Sequence, residues 1–420
     1  MASPPFRRPL DGGLVLRSLA GPEDVERVAA FDALIHGEST APTWRAWMTA
    51  HPGAQPDYWL FIEEQATRRV VAALCLLPWR LQYEGVELRS GEMGVVGTLE
   101  EYRRRGLQRA LNERFSELLR AGGFDLSHIQ GIPYFYRQFG YEYAAPLEGW
   151  WRLEHSMPLE GPEGARHSCR PATPADLPAL VRLYDAAARA LDLSALRDEA
   201  TWRYLLGPAL ATETAAETWL VVDSAGAPVG YFRIARQGFG EGLIVAETSL
   251  MGADAATAAL RLCRQLALER GKPYIRLNLP ADSALVQVAR AFGAYDTGSY
   301  AWQVRLLDPP ALLRRLAPAL ERRLATSIFA GLTRDVHLDL YRQAIVLRFA
   351  GGRLAAVEPV PPGAWGDVRL PPQLLAPLLL GYRSFGELAA MYPDASADGR
   401  ARALVDALFP KMRAFLYQQY

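Results

Sequence analysis

The sequence predicts a mixed fold, α/β (α+β), in three successive units: residues 1–155 and 165–305, which follow one plan, and residues 306–420, a smaller α+β unit. Three observations predict it. Strand-like and helix-like runs alternate along the chain. Short patterns recur at a nearly constant offset, with Arg17 and Arg170, and again Phe139-Gly140 and Phe292-Gly293, each 153 residues apart. The rhythm then changes near Leu306, where Pro309 and Pro310 open a new amphipathic run. At 420 residues the chain exceeds what one hydrophobic core ordinarily holds, so several cores are expected.

In the first unit LVLRSLAGPEDVERVAAF reads as a short strand and then a helix entered through Pro22, Glu23 and Asp24; HSCRPATPADLPALVRLY repeats it, with Pro174 and Asp176 at the helix start. YWLFIEEQATRRVVAALCLL reads as two strands around a polar turn, echoed by TWLVVDSAGAPVGYFRIA. A Pro- and Gly-rich run, HSMPLEGPEGARH, separates the two units. In the third, ALLRRLAPALERRLA reads as a helix, VHLDLYRQAIVLRFAGGRLAAVEP as strands around an Ala-Gly-Gly turn, and PPQLLAPLLLGYRSFGELAAM as a further helical stretch.

Lys and Arg balance Asp and Glu at 46 each, so no overall field draws in nucleic acid or an anionic membrane surface. No stretch is apolar for 18 residues and no secretion signal opens the chain, so neither a membrane span nor export is expected. Cys75, Cys169 and Cys263 lie too far apart in sequence to suggest a zinc site or a disulfide framework, and a reducing cytoplasm fits them. No metal is expected.

The chemistry concentrates in SGEMGVVGTLEEYRRRGLQRALNERFSELLRAGGF. Glu92 to Leu99 reads as a strand and the part from Leu107 as a helix, with Arg103, Arg104, Arg105 and Gly106 between them. A strand, a basic glycine turn and a helix start gather backbone N–H groups and the positive end of a helix dipole about one point, which suits a pyrophosphate. A short strand-like run around Leu126–Gln130 and the aromatic stretch Tyr134-Phe135-Tyr136-Arg137-Gln138-Phe139-Gly140-Tyr141 follow.

This succession resembles the GNAT acetyltransferases. The resemblance implies two tandem GNAT folds with mixed, splayed sheets and acetyl-CoA as co-substrate. Arg103, Arg104, Arg105, Gly106, Leu107 and Gln108 would line its pyrophosphate, and Val95, Val96 and Thr98 its pantetheine arm. Gln108 departs from the pattern, standing where the family has a small residue. Tyr136 matches the general-acid tyrosine that protonates the leaving thiolate. The second unit, with MGADAAT and Asp254 at the equivalent place, lacks a phosphate turn.

The whole arrangement resembles the enhanced intracellular survival (Eis) family, whose third domain is like a sterol carrier protein. That implies a homo-oligomer and a base supplied by the terminal carboxylate, here of Tyr420; Glu92, at the start of the central strand, is the other candidate. The third unit would close the acceptor cleft, or hold lipid. His128 is expected to pack, although it stands where it can face the acceptor, and Trp44, Trp47 and Trp150 are candidate lining residues. Polyamines, aminoglycosides, peptide N-termini and lysine all fit as the small-molecule or peptide amine acceptor. The alternatives are a non-catalytic acyl-CoA- or lipid-binding protein, or an acyltransferase using another donor.

Overall fold

The computed structural model describes residues 5–156, 166–238, 240–362 and 366–420; most of the Pro- and Gly-rich run between the first two units lies outside them. In chain order the first elements are β1 (Arg7–Leu10), β2 (Leu14–Ser18), α1 (Pro22–His36), α2 (Ala41–Thr49), β3 (Trp59–Glu64), β4 (Val70–Tyr83), β5 (Val86–Thr98), α3 (Leu107–Ala121), β6 (Leu126–Ile129) and β7 (Glu142–Glu154). Then come β8 (His167–Pro171), α4 (Leu177–Arg189), β9 (Leu193–Leu196), α5 (Glu199–Leu206), β10 (Ala216–Asp223), β11 (Pro228–Ala235), β12 (Leu243–Thr248), α6 (Ala253–Glu269), β13 (Tyr274–Asn278), α7 (Ala284–Ala291) and β14 (Tyr295–Leu306).

The repeated Arg and Pro-x-Asp pattern has a physical meaning. Arg17 on β2 pairs with Asp24 in the first turn of α1, and Arg170 on β8 pairs with Asp176 ahead of α4, where Thr173 and Asp176 form a capping box. In both places the strand fixes its helix through a carboxylate at the positive helix end.

The strands form one mixed sheet in the order β1-β2-β3-β4-β5-β6-β14-β7-β13-β12-β11-β10-β8. Inward from β2 and from β8 the succession is the same. β2 to β5 pair antiparallel, β5 and β6 pair parallel, and β14 closes antiparallel; β8, β10, β11 and β12 pair antiparallel, β12 and β13 parallel, and β7 closes antiparallel. Each closing strand comes from the other half of the sequence, and the two closing strands pair with each other, Trp302 opposite Ala145. The Phe-Gly pairs at 139–140 and 292–293 immediately precede these exchanged strands.

Around β3–β6, α3 covers one face with Leu107, Leu111, Phe115 and Leu119, while α1 and α2 cover the other with Val28, Phe31, Trp44 and Trp47. Both faces of β4 are therefore buried, which explains its nearly continuous apolar sequence.

The last region contains α8 (Pro309–Arg315), α9 (Ala317–Ala325), β15 (Arg334–Asp339), β16 (Ala344–Ala350), β17 (Arg353–Val360), β18 (Val368–Arg369), α10 (Leu375–Leu379), α11 (Phe385–Met391), β19 (Ser396–Ala397) and α12 (Gly399–Leu408), with a second sheet ordered β17-β16-β15-β18-β19. The single helix expected from ALLRRLAPALERRLA is two: Pro318 lacks the N–H that would continue α8, and the chain restarts at Ala317. This region docks on the β4–β5 hairpin, where Arg323 pairs with Glu84 at 2.7 Å and Tyr83 donates to the Leu379 carbonyl. Beyond α12 the tail runs back into the main sheet, and β20 (Ala414–Phe415) pairs parallel with β9, which in turn pairs with β4.

Candidate active site

The site begins where β5 loses its neighbour. β5 runs on to Thr98, but its parallel pairing with β6 stops at Glu92 opposite His128. On its other edge the register passes from Cys75 opposite Gly94 to Ala73 opposite Gly97, so Val95 and Val96 together face Leu74. This β-bulge sets Val95 at φ 53°, a conformation that a β-branched residue adopts only under strain. The bulge re-aims the backbone of residues 95–98 into the gap beyond the end of the β5–β6 pairing.

At the far end of β5 the chain turns through Arg104 at φ 63° and Gly106 at φ 76° into α3. The five consecutive N–H groups from Arg104 to Gln108 donate to no acceptor among the described residues; the first internal bond of the helix start is from Arg109 to the Gly106 carbonyl. The side chains of Arg103, Arg104 and Arg105 are exposed, and Arg105 lies over the Tyr102 ring at 4.7 Å. A nest of free N–H groups at a helix N-terminus, flanked by guanidiniums, fits a pyrophosphate. Nothing within 4 Å would meet a Cβ at Gly106, so that face of the turn is open, and its positive φ is what calls for glycine. Gln108 turns its side chain away from the nest, donating to the Gly97 carbonyl and Thr98 Oγ1 at 2.8 Å each. It pins the helix start to the strand end and leaves only its N–H for an anion.

Glu92 and Met93 point to opposite faces of β5. On the α3 face, with Met93, Ile129 and Tyr141, sits Tyr136, held by a 3₁₀ turn at Phe135–Phe139. Its ring lies so close to Gly131 that a Cβ there would come within 2.3 Å of Cδ2. Burial raises its pKa, so the phenol keeps its proton at neutral pH.

On the opposite face Glu92 is buried, and its Oε1 accepts from the Tyr420 hydroxyl at 2.8 Å. Burial pushes the carboxyl up to about 8; Tyr420 and the Trp79 indole, which approaches outside hydrogen-bond geometry, restrain the rise. Its Oε2 has no partner. The Tyr420 ring lies 4.2 Å from Trp47 at a tilt of 48°, and the residue whose terminal carboxylate was one candidate reaches Glu92, the other, through its side-chain hydroxyl.

His128 packs, as its sequence context suggested. Its ring stands edge-on to Trp79 and Trp302, Nδ1 is 2.6 Å from Ser90 Oγ, and burial lowers its pKa to about 3. Burial also raises the Cys75 thiol well above its usual range, with Glu92 and Asp32 adding to it, so no thiolate nucleophile forms there.

Asp32 on α1 was not legible in the sequence. It is fully buried, neither carboxylate oxygen has a partner, and burial raises its pKa well above the usual range. A carboxyl buried beside Cys75 without a partner is costly to ionise. Its only sequence signal is an acid on the apolar side of an amphipathic helix.

The tail that delivers Tyr420 is held from both halves of the sheet. Arg197, with no exposed side-chain surface, donates to both Glu247 oxygens at 2.8 and 2.9 Å and to the Gln418 carbonyl at 2.9 Å; His51 Nε2 lies 3.2 Å from the Gln419 carbonyl.

Glu92 carries a pH dependence of stability. Its folded pKa, about 8, exceeds the ordinary 4.5, so the folded chain retains a proton that the unfolded chain has lost. The stabilisation is complete below about 4.5 and is lost as pH rises through 8, at up to about 1.4 kcal/mol per pH unit. In urea unfolding at pH 5, 6.5 and 8, Glu92→Gln is expected to flatten this decline; an unchanged slope would remove Glu92 as its source.

In sequence, residues 17–144 match the acetyltransferase (GNAT) domain model. No curated protein matches the chain. Among solved structures, the fold is similar to a GCN5-related N-acetyltransferase from Anabaena variabilis (TM-score 0.70, 18% identity, covering 96% of this chain and 99% of that one). It is also similar to a probable N-acyltransferase from Enterococcus faecalis (TM-score 0.71, 16% identity, 97% and 99%) and to Eis1 from Mycobacterium abscessus (TM-score 0.63, 17% identity, 97% and 100%). The splayed strands, the bulge and the open N–H turn lie within the segment that matches the GNAT acetyltransferase domain model, in a chain that shares its overall fold with these structures.

Proposed function

We propose that the chain is an acetyl-CoA-dependent N-acetyltransferase acting on a primary amine by direct transfer. One observation carries this reading: β5 and the turn that follows it set in succession a buried carboxyl at Glu92, the bulged backbone at residues 95–98 and five N–H groups at residues 104–108 without an acceptor among the described residues. Arg103, Arg104 and the nest hold the pyrophosphate, and the backbone of Val95, Val96 and Thr98 receives the pantetheine arm. The thioester then lies at the mouth of the splay, with Tyr136 on one face of β5 and Glu92 with Tyr420 on the other.

The amine nitrogen attacks the thioester carbonyl, whose oxygen takes up charge toward the N–H groups of the bulge. The C–S bond breaks as the C–N bond forms. Glu92, directly or through water, takes the proton the nitrogen sheds, and the Tyr136 phenol protonates the departing sulfur. The terminal carboxylate of Tyr420 is the alternative proton acceptor. Holding both reactants in one cleft supplies much of the rate.

The twofold strand order supports two tandem GNAT folds, the second without an anion turn: α6 opens with exposed Asp254 in its first turn. The region after Leu306 acts as a closing unit that brings Tyr420 to Glu92. Its likeness to a sterol carrier protein, homo-oligomer formation and a cytoplasmic setting belong to this same proposal. No helix among the described residues is long and apolar enough to cross a membrane.

The test is CoA release from acetyl-CoA with a panel of primary amines between pH 6 and 10. With Glu92 as base, kcat/KM rises with pH to a plateau above about 8, and Glu92→Gln loses both rate and profile. No CoA release with any amine would contradict transfer. An unchanged profile in Glu92→Gln would move the proton acceptor to Tyr420.

A further inference from the structure

Behind Tyr420, on the side of β10–β13, lies a pocket lined among others by Glu148, Arg233, Glu247, Asn278 and Tyr420. Among the described residues Glu148, Glu247 and the chain-terminal Tyr420 bring carboxylates to it and Arg233 the one lining guanidinium, while Arg197 and Arg276 pair with Glu247 and Glu148 from beside it. Arg197 holds both oxygens of Glu247, which also accepts from the Tyr231 hydroxyl at 2.6 Å. Arg276 donates to Glu148 at 3.0 Å, and the Trp150 indole donates to the same oxygen.

Arg233 is left with the remainder. Its Nη1 is 3.4 Å from Glu247, its Nε reaches Thr218 Oγ1 at 3.3 Å, and its Nη2 has no partner although only 4% of the side chain is exposed. A guanidinium held dry with one donor unmet is costly, and an acceptor at that donor relieves the cost. The donor geometry of arginine matches a carboxylate.

We propose that Arg233 receives a carboxylate on the acceptor, so that the acceptor is a molecule carrying both an acid and a primary amine, as amino acids and peptide ends do. The inference rests on the acetyltransferase reading and deepens it. Tyr420 links the two ends: its hydroxyl meets Glu92, where the amine is deprotonated, and the same residue lines the Arg233 pocket. Acid and amine are thereby received on the two sides of one tyrosine.

The test has two arms. In the first, initial rates are compared for amines differing only in the acid, such as lysine against cadaverine, at saturating acetyl-CoA. The wild type is expected to show a KM at least about tenfold lower for lysine, as one charge-assisted hydrogen bond contributes, and Arg233→Met to bring the two KM values together. Equal KM values in the wild type, or a preference for the diamine, would overturn the proposal even if the variant does not fold. In the second arm, which needs no turnover, hexanoate is titrated into the wild type and Arg233→Met by calorimetry. Saturable binding lost in the variant supports the pocket even if no amine is acetylated, a result that would sink the parent reading alone. No binding, or equal displacement of hexanoate by chloride and phosphate, would overturn the pocket while leaving acetyl transfer standing.

Discussion

Replacing Tyr136 by Phe is expected to lower kcat by about 10²- to 10⁴-fold, the usual contribution of a positioned general acid, while the KM for acetyl-CoA moves by no more than about threefold. The separation of kcat from KM follows from the packing. The Tyr136 ring rests on Gly131 and against Tyr141, contacts that phenylalanine keeps, and only the hydroxyl is lost. Burial keeps that hydroxyl protonated at neutral pH, which makes it an acid for a leaving thiolate and a poor base. Steady-state kinetics with any accepted amine checks this; a kcat within about threefold of wild type would remove Tyr136 from proton transfer.

The second large effect is structural. Arg197→Met is expected to destabilise the chain by about 3–5 kcal/mol in urea unfolding, because it strands the Glu247 carboxylate in the interior. Burial opposes the Arg197 charge, but Glu247 more than offsets this and its pKa rises; removing the guanidinium reverses the balance for Glu247. Arg233, 3.4 Å from the second oxygen, limits the loss without cancelling it. The Gln418 carbonyl loses its donor in the same step, so the tail carrying Tyr420 loosens and turnover falls with stability. A loss under about 1 kcal/mol would show that Glu247 is solvated and that the tail is held by other contacts.

Much of the site was readable because its signals are local. A basic turn with a glycine between a strand and a helix, and an aromatic run after the next strand, are set by residues within one stretch of chain. The structure places the helix start at Leu107 and the turn at 103–106 as those patterns indicate, and sets the aromatic run in a 3₁₀ turn that holds Tyr136. The repeat was legible for the same reason, since Arg17–Asp24 and Arg170–Asp176 are short-range pairs serving one purpose twice.

What escaped the sequence depends on distant contacts. The exchange of β7 and β14 between the two ends of the sheet leaves no local mark, because a strand's alternation says that it pairs and not with whom. Asp32 and Arg233 are ordinary polar residues until burial leaves the one without a partner and the other with a donor unmet. Gln108, a departure from the family pattern, proves to be a clamp between helix and strand, which only the 2.8 Å contacts to Gly97 and Thr98 reveal. Tyr420 and Glu92 were separate candidates, 328 residues apart, and their meeting depends on how Arg197 and His51 hold the tail.

The central claim is that the nest at residues 104–108 and the guanidiniums beside it hold the pyrophosphate of acetyl-CoA. The most direct measurement is calorimetric titration of the full chain with acetyl-CoA, repeated on the double variant Arg103→Ala, Arg104→Ala. The account predicts one saturable site per chain with micromolar affinity, weakened at least about tenfold in the double variant, since charged hydrogen bonds of about 1.5–3 kcal/mol each are lost. Absence of binding to the wild type, or an affinity unchanged by the two substitutions, would contradict it.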